Sequence, residues 1–213
     1  MAEAPLVGAM ANERGLQMHP TPTGIGWIEV VCGPMFSGKT EELIRRLRRA
    51  VYARQKVQIY KPQIDTRYAD IEIVSHSKQR LEAIPIDQAA DILNKVADDA
   101  QVVGIDEVQF FGRDVIRVAN KLANRGIRVI AAGLDQDFRG VPFEPMPSLL
   151  AVAEYVTKVH AMCLVCGNPA FRSQRLNREQ GQVVLGAAES YEARCRRCHT
   201  LDEELPEQER LFR

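Results

Sequence analysis

The chain has 213 residues, 46% hydrophobic and 26% charged, with 28 Lys and Arg balanced by 28 Asp and Glu. That length can bury one ordinary core with room for a small satellite unit, and the even charge excludes a protein whose main task is coating nucleic acid, which needs a basic surplus. No run of about 18 apolar residues occurs, so no membrane-spanning helix is expected, whereas a site for a small anion stays open because backbone amides and one or two cations can build it locally.

Residues 1–26 mix Ala, Pro, Gly, Asn and charges without an apolar stretch, which reads as a flexible tail and not as a secretory signal. Trp27 to Cys32 is an apolar run ending at a glycine, the pattern of a buried strand. Thr40 to Gln55 places Leu43, Leu47, Ala50 and Val51 at helical spacing, with arginines on the opposite face. Lys56 to Tyr60 predicts a second strand ending at Pro62, and Ile71 to Val74 a short one ahead of His76. Asp87 to Ala97 has helical spacing through Ile92, Leu93 and Val96. Val102 to Ile105 is another buried strand, closed by Asp106 and Glu107. Asp114 to Asn124 repeats the helical pattern through Val115, Val118 and Leu122, and Arg128 to Leu134 completes the series as a strand.

Strands alternating with crossover helices predict an α/β fold of the P-loop, RecA-like kind: a mostly parallel sheet with helices on both faces. This domain is expected over residues 27–159. After about Thr157 the helical periodicity gives way to two Cys-x-x-Cys pairs, short strand-like pieces and an Arg-rich, Gly-containing middle. A small zinc-ribbon-like domain with a lid loop is therefore expected over 160–201, followed by a charged tail at 202–213.

Gly33-Pro34-Met35-Phe36-Ser37-Gly38-Lys39-Thr40 matches the G-x-x-x-x-G-K-[ST] phosphate-binding loop without a gap. Its glycines let successive backbone N–H groups turn inward onto phosphate oxygens, and the following helix adds its positive end. Lys39 is expected to reach the β- and γ-phosphates of ATP, and Thr40 to ligate Mg²⁺. A hydrophobic strand ending in Asp106-Glu107 has the form of a Walker B element: the first acid holds Mg²⁺ and the second accepts a proton near the γ-phosphate.

The five cysteines are Cys32, Cys163, Cys166, Cys195 and Cys198. In a chain without a signal peptide, two Cys-x-x-Cys turns point to metal sooner than to disulfides, and to a cytoplasmic location. Cys163, Cys166, Cys195 and Cys198 would close a tetrahedral structural Zn²⁺ site with no open position for a substrate. His199 is an alternative fourth ligand in place of Cys198, and Cys32 reads as a small buried hydrophobe.

Together these segments resemble the thymidine kinases of the zinc-containing, cytosolic type. The resemblance runs from about Trp27 to His199. It rests on the loop interior Pro34-Met35-Phe36-Ser37, on Asp65-Thr66-Arg67-Tyr68, on Asp106-Glu107-Val108-Gln109-Phe110-Phe111, on Leu134-Asp135-Gln136-Asp137-Phe138, and on the cysteine pairs. It implies transfer of the γ-phosphoryl group of ATP to the 5′-hydroxyl of thymidine, with Glu107 as the base, Asp106 and Thr40 on Mg²⁺, and Arg67 near the phosphates. It also implies that Met35, Phe110, Leu134, Phe138 and Phe143 enclose the thymine ring. Gln109, Ser173 and Tyr191 are expected among the thymidine contacts, with Val184 in a loop (Val183 to Gly186) that closes over the base. A homotetramer and feedback inhibition by thymidine triphosphate follow from the same resemblance. Val108 stands where animal members usually have glycine, and Ser173 where a threonine commonly contacts the base. The competing reading is a zinc-containing P-loop ATPase acting on nucleic acid, since Asp106-Glu107-Val108-Gln109 resembles the box of such motors. That reading needs a second ATPase domain and a basic track, for which the chain has neither the room nor the charge.

Overall fold

The computed structural model describes residues 24–63, 72–74, 80–176 and 190–201. The first strand, β1 (Trp27–Cys32), is buried at all six positions, which requires cover on both sheet faces. Along the chain follow α1 (Lys39–Tyr52), β2 (Val57–Pro62), β3 (Glu72–Val74), β4 (Arg80–Glu82), β5 (Ile84–Ile86), α2 (Ala90–Lys95) and β6 (Val102–Ile105). A 3-10 turn at Val108–Phe111 leads to α3 (Asp114–Asn124), β7 (Arg128–Gly133), α4 (Met146–Val152) and β8 (Tyr155–Lys158). The central sheet has six strands in the order β5-β2-β6-β7-β1-β8, and every pairing in it is parallel. The expected α/β architecture is thus present.

Side chains along β1 alternate between the two faces, as pleating requires. Ile28, Val30 and Cys32 join Ile92, Val115, Val118 and Leu122 in one core, under α2 and α3. Val31 joins Leu43, Ile44, Leu47 and Ile130 in the other, under α1. The helix expected over Asp87 to Ala97 shortens to Ala90–Lys95, because Val96 turns to extended backbone. The helix expected to reach Gln55 stops at Tyr52, and Arg54 takes a left-handed conformation with φ 60°. Helix α4 and strand β8 were not legible: β8 is an edge strand of four half-buried or exposed residues with no apolar run.

One buried ion cluster staples this core. Glu29, 6% exposed, accepts from Trp27 Nε1 at 2.7 Å, Arg46 at 2.7 Å and Arg128 Nε at 2.6 Å. Burial alone would raise its carboxyl pKa; the bonds and charges of Arg128, Trp27 and Arg46 outweigh that and hold it below the ordinary value. Its contribution is therefore complete above the unfolded carboxylate value of about 4.3 and disappears as pH falls through the depressed folded value. Glu29→Ala should cost about 3 kcal/mol, the low end for breaking a buried pair, because both arginines keep some contact with water. Thermal unfolding at neutral pH reads this loss, and the gap between variant and wild type should shrink in acid.

Outside the sheet β3 pairs antiparallel with β4, and after β8 come two further short antiparallel pairs: β9 (Ala161–Met162) with β10 (Pro169–Ala170), and β11 (Arg172–Arg175) with β12 (Tyr191–Arg194). Their small core is Ala161, Cys163, Ala170, Ala193 and Cys195, and Phe36 of the phosphate-loop segment packs against it. Among the described residues no helix is long and apolar enough to cross a membrane.

Candidate active site

The carboxyl ends of β1, β6, β7 and β8 lie side by side, and the segments leaving them build the site, as expected for an open parallel sheet. Gly33 through Gly38 leave β1 and lead directly into α1. A Cβ on Gly33 would lie 2.4 Å from the Val159 carbonyl oxygen, so only glycine lets the loop pass the chain leaving β8. Ser37 Oγ and Lys39 Nζ both donate to the Pro34 carbonyl at 2.7 Å, curling the loop on itself. Gly38 caps α1 in a left-handed conformation at φ 81°. Lys39 is buried, which pulls its ammonium pKa down, while Glu107, Asp106 and Asp135 act in the opposite direction.

Next along the sheet edge stands the acidic pair. Thr40 Oγ1 donates to Asp106 Oδ2 at 3.4 Å, and the Glu107 backbone N–H donates to Asp106 Oδ1 at 3.0 Å. Burial, and then the neighbouring Glu107 charge, push the Asp106 carboxyl up to about 7 against the opposing pull of the Glu107 N–H, Lys39 and Thr40. A buried carboxylate with a second acid beside it favours binding a cation or a proton. The Thr40–Asp106 oxygen separation is near the ~3 Å edge of an octahedron with about 2.1 Å bonds, and both are hard oxygen donors. The residues therefore fit Mg²⁺. Glu107 itself adopts left-handed backbone, φ 48° and ψ 41°, a strained conformation for a residue with a side chain.

Leu134 and Asp135 leave β7. Asp135 Oδ2 pairs with Lys158 Nζ at 2.6 Å, at the end of β8. Its Oδ1 is buried with no hydrogen-bond partner among the described residues. Cys32, buried beneath, has its thiol pushed up to about 11 by burial and by Asp135. It belongs to the strand core and not to the cysteine cluster.

The expected thymidine contacts divide into groups. Met35, Phe110, Leu134 and Phe138 are half-buried, and Phe143 is buried with its ring edge-on to Phe110, centroids 6.0 Å apart. The buried Ser173 accepts from the Met35 backbone N–H at 3.0 Å, which leaves its hydroxyl hydrogen to donate elsewhere. Tyr191 is buried, and its hydroxyl accepts from Arg175 at 3.0 Å. The Arg175 guanidinium lies 3.7 Å above the Phe138 ring. Gln109 turns inward: Nε2 donates to Glu107 Oε2 at 2.6 Å and Oε1 accepts from the Leu134 N–H at 3.0 Å. Arg67, its segment Asp65 to Tyr68, Val184 and the loop Val183 to Gly186 lie outside the described residues.

The sulfurs of Cys163, Cys166, Cys195 and Cys198 all lie within 4.8 Å of one another. The Cys166–Cys195 separation is 3.6 Å and the Cys166–Cys198 separation 3.5 Å. Disulfide sulfurs would be about 2.05 Å apart, while a tetrahedron with Zn–S bonds of about 2.3 Å has edges of roughly 3.8 Å. The four thiols fit zinc. His199, the alternative ligand, instead directs Nε2 to the Phe138 carbonyl at 2.8 Å.

Sequence reasoning placed Asp135 in the segment Leu134 to Phe138 without a role of its own, and did not single out Lys158 or Arg175. Asp135 carried a usable signal, an acid directly after a buried strand like Asp106. Lys158 and Arg175 carried none, because only the fold brings their segments to the site.

The sequence model of the thymidine kinase family matches residues 26–199. A thymidine kinase from Rhodothermus sp. (strain ITI 518) is 62% identical over 174 residues, covering 82% of this chain and 81% of that protein. A thymidine kinase from Bdellovibrio bacteriovorus (strain ATCC 15356 / DSM 50701 / NCIMB 9529 / HD100) is 57% identical over 171 residues, covering 80% of this chain and 84% of that protein.

Proposed function

The chain belongs to the thymidine kinase family, and from that premise we propose that it transfers the γ-phosphoryl group of ATP to the 5′-hydroxyl of thymidine. The observation that carries this reading is the convergence of Lys39, Thr40, Asp106 and Glu107 on one edge of the sheet in a member of that family. Backbone N–H groups of Ser37 to Thr40 and the Lys39 ammonium hold the β- and γ-phosphates. Thr40 and Asp106 hold Mg²⁺, which when bound offsets charge on the transferring phosphoryl group. Glu107 takes the proton of the 5′-hydroxyl as its oxygen bonds to the γ-phosphorus, and the bond from that phosphorus to the β–γ bridging oxygen breaks to release ADP.

The half-buried Met35, Phe110, Leu134 and Phe138, with Phe143 behind Phe110, offer an apolar wall suited to a methylated pyrimidine. Ser173 and Tyr191 supply polar groups at its rim. Arg67 and Val184 keep the roles that the family resemblance implies: one near the phosphates, the other over the base. Residues 27–159 supply ATP binding and the base, and residues 160–201 supply the zinc-held cover. The resemblance also carries a homotetramer, inhibition by thymidine triphosphate and a cytoplasmic location.

The test is incubation with Mg-ATP and each of thymidine, deoxyuridine, deoxycytidine and deoxyadenosine, followed by separation of the monophosphates. Thymidine monophosphate should dominate. A purine or cytidine product in its place would overturn the substrate assignment, and deoxyuridine monophosphate in excess would show that the methyl group is not being read. ATP hydrolysis stimulated by DNA or RNA, with no nucleoside product, would revive the motor reading, which no observation on the molecule favours.

A further inference from the structure

We propose that Gln109 is a positioning residue that aims the Glu107 carboxylate, and that Gly133 is glycine in order to admit it. The proposal rests on the reading of Glu107 as the base. Gln109 was expected to touch the nucleoside, yet it is 2% exposed and spends its amide inside the protein. Its Nε2 donates to Glu107 Oε2 at 2.6 Å, and its Oε1 accepts from the Leu134 backbone N–H at 3.0 Å. Only this orientation of the amide satisfies both partners, since a carboxylate solely accepts and an N–H solely donates.

The bridge spans two strand ends. Glu107 follows β6, and Leu134 follows β7 at the apolar wall. A bond from the base to that wall fixes the carboxylate relative to whatever the wall holds, and a charge-assisted bond is the stronger kind for this. Glu107 needs such a restraint, because its left-handed backbone at φ 48° gives the carboxylate no regular helix or strand to lean on.

An independent observation comes from β7. A Cβ built on Gly133 would lie 2.5 Å from Gln109 Oε1 and 2.8 Å from Val108 Cγ1. Gly133 is not among the residues with positive φ, so conformational freedom does not explain it. Room for the Gln109 side chain, and for Val108 beside it, does.

The experiment is a cycle of Gln109→Met and Glu107→Gln, alone and together, with Gly133→Ala as a second route to the same displacement. Gln109→Met keeps the length and removes the bond to the carboxylate. It should lower kcat by about 10–100-fold, the range for lost support of a reacting group, with KM and equilibrium Kd for thymidine within about threefold. Gly133→Ala should act in the same direction. In the Glu107→Gln background, Gln109→Met should add less than about threefold, because groups that act as one unit are not additive. A nucleoside contact would instead raise Kd in both backgrounds, and a purely structural residue would lower thermal stability in both without sparing either rate. Either pattern overturns the proposal while leaving Glu107 as the base. An undiminished rate in Glu107→Gln would remove the base, and this proposal with it.

Discussion

Glu107→Gln is expected to lower kcat for thymidine phosphorylation by about 10²–10⁴-fold, the usual worth of a general base. The substitution keeps the side chain's shape and removes its capacity to take a proton. Binding of thymidine and of ATP should stay close to wild type, so the loss falls on kcat and not on KM. Thermal stability is expected to rise, and the reason lies beside the residue. The Asp106 carboxyl is pushed up to about 7 by burial and then by the Glu107 charge; neutralising Glu107 removes the second cause. A slower and more stable variant is the signature of a functional carboxylate held in an unfavourable place. Lys39→Ala should also abolish turnover, but with weakened ATP binding, since its ammonium is the buried cation of the loop. Steady-state kinetics with calorimetric unfolding on both variants separates these roles. A Glu107→Gln enzyme with undiminished kcat would remove Glu107 from the chemistry.

Zinc removal is the second large effect expected: thymidine phosphorylation should fall to background while the α/β sheet stays folded. The four thiols lie within 4.8 Å of one another in a unit whose buried core is little more than Ala161, Ala170, Ala193 and the cysteines themselves. So small an apolar cluster cannot hold the hairpins alone, and metal binding there is folding free energy. The damage reaches the site through contacts already described. Ser173 accepts from the Met35 N–H, Arg175 covers Phe138, His199 bonds the Phe138 carbonyl, and Phe36 packs on the cysteine core. The two large cores under α1, α2 and α3 contain none of these residues. Chelator-treated protein should therefore keep its far-ultraviolet circular dichroism apart from the small unit and lose thymidine binding. Stoichiometric zinc should restore it. Unchanged thymidine binding after verified metal loss would refute the coupling.

Much of the site was legible because short-range chemistry writes itself into contiguous residues. Gly33 to Thr40 had to read as a phosphate loop, since a backbone nest needs glycines at fixed spacing and the cation next to them. Asp106 and Glu107 followed a strand of four buried residues, and two Cys-x-x-Cys turns carried their own ligand geometry. The buried strands were likewise visible, because a parallel sheet covered on both faces needs continuous apolar runs. Strand β8 lacked that signal, because an edge strand needs no such run; short strand-like pieces were visible after Thr157, but not which of them pair.

What the sequence by itself determined, then, is the alternating α/β plan, the phosphate loop, the acidic pair and the four thiols, each a local pattern whose physics acts within a few residues. What only the tertiary structure decided is how these patterns address one another. Strand order set β7 between the strands carrying the loop and the acids, which brought Asp135 to Lys158. The same packing made Gln109 a bridge between Glu107 and Leu134. It also placed Arg175 over Phe138, residues from separate segments. No local pattern encodes such contacts, because they depend on which chain ends the parallel sheet lays side by side.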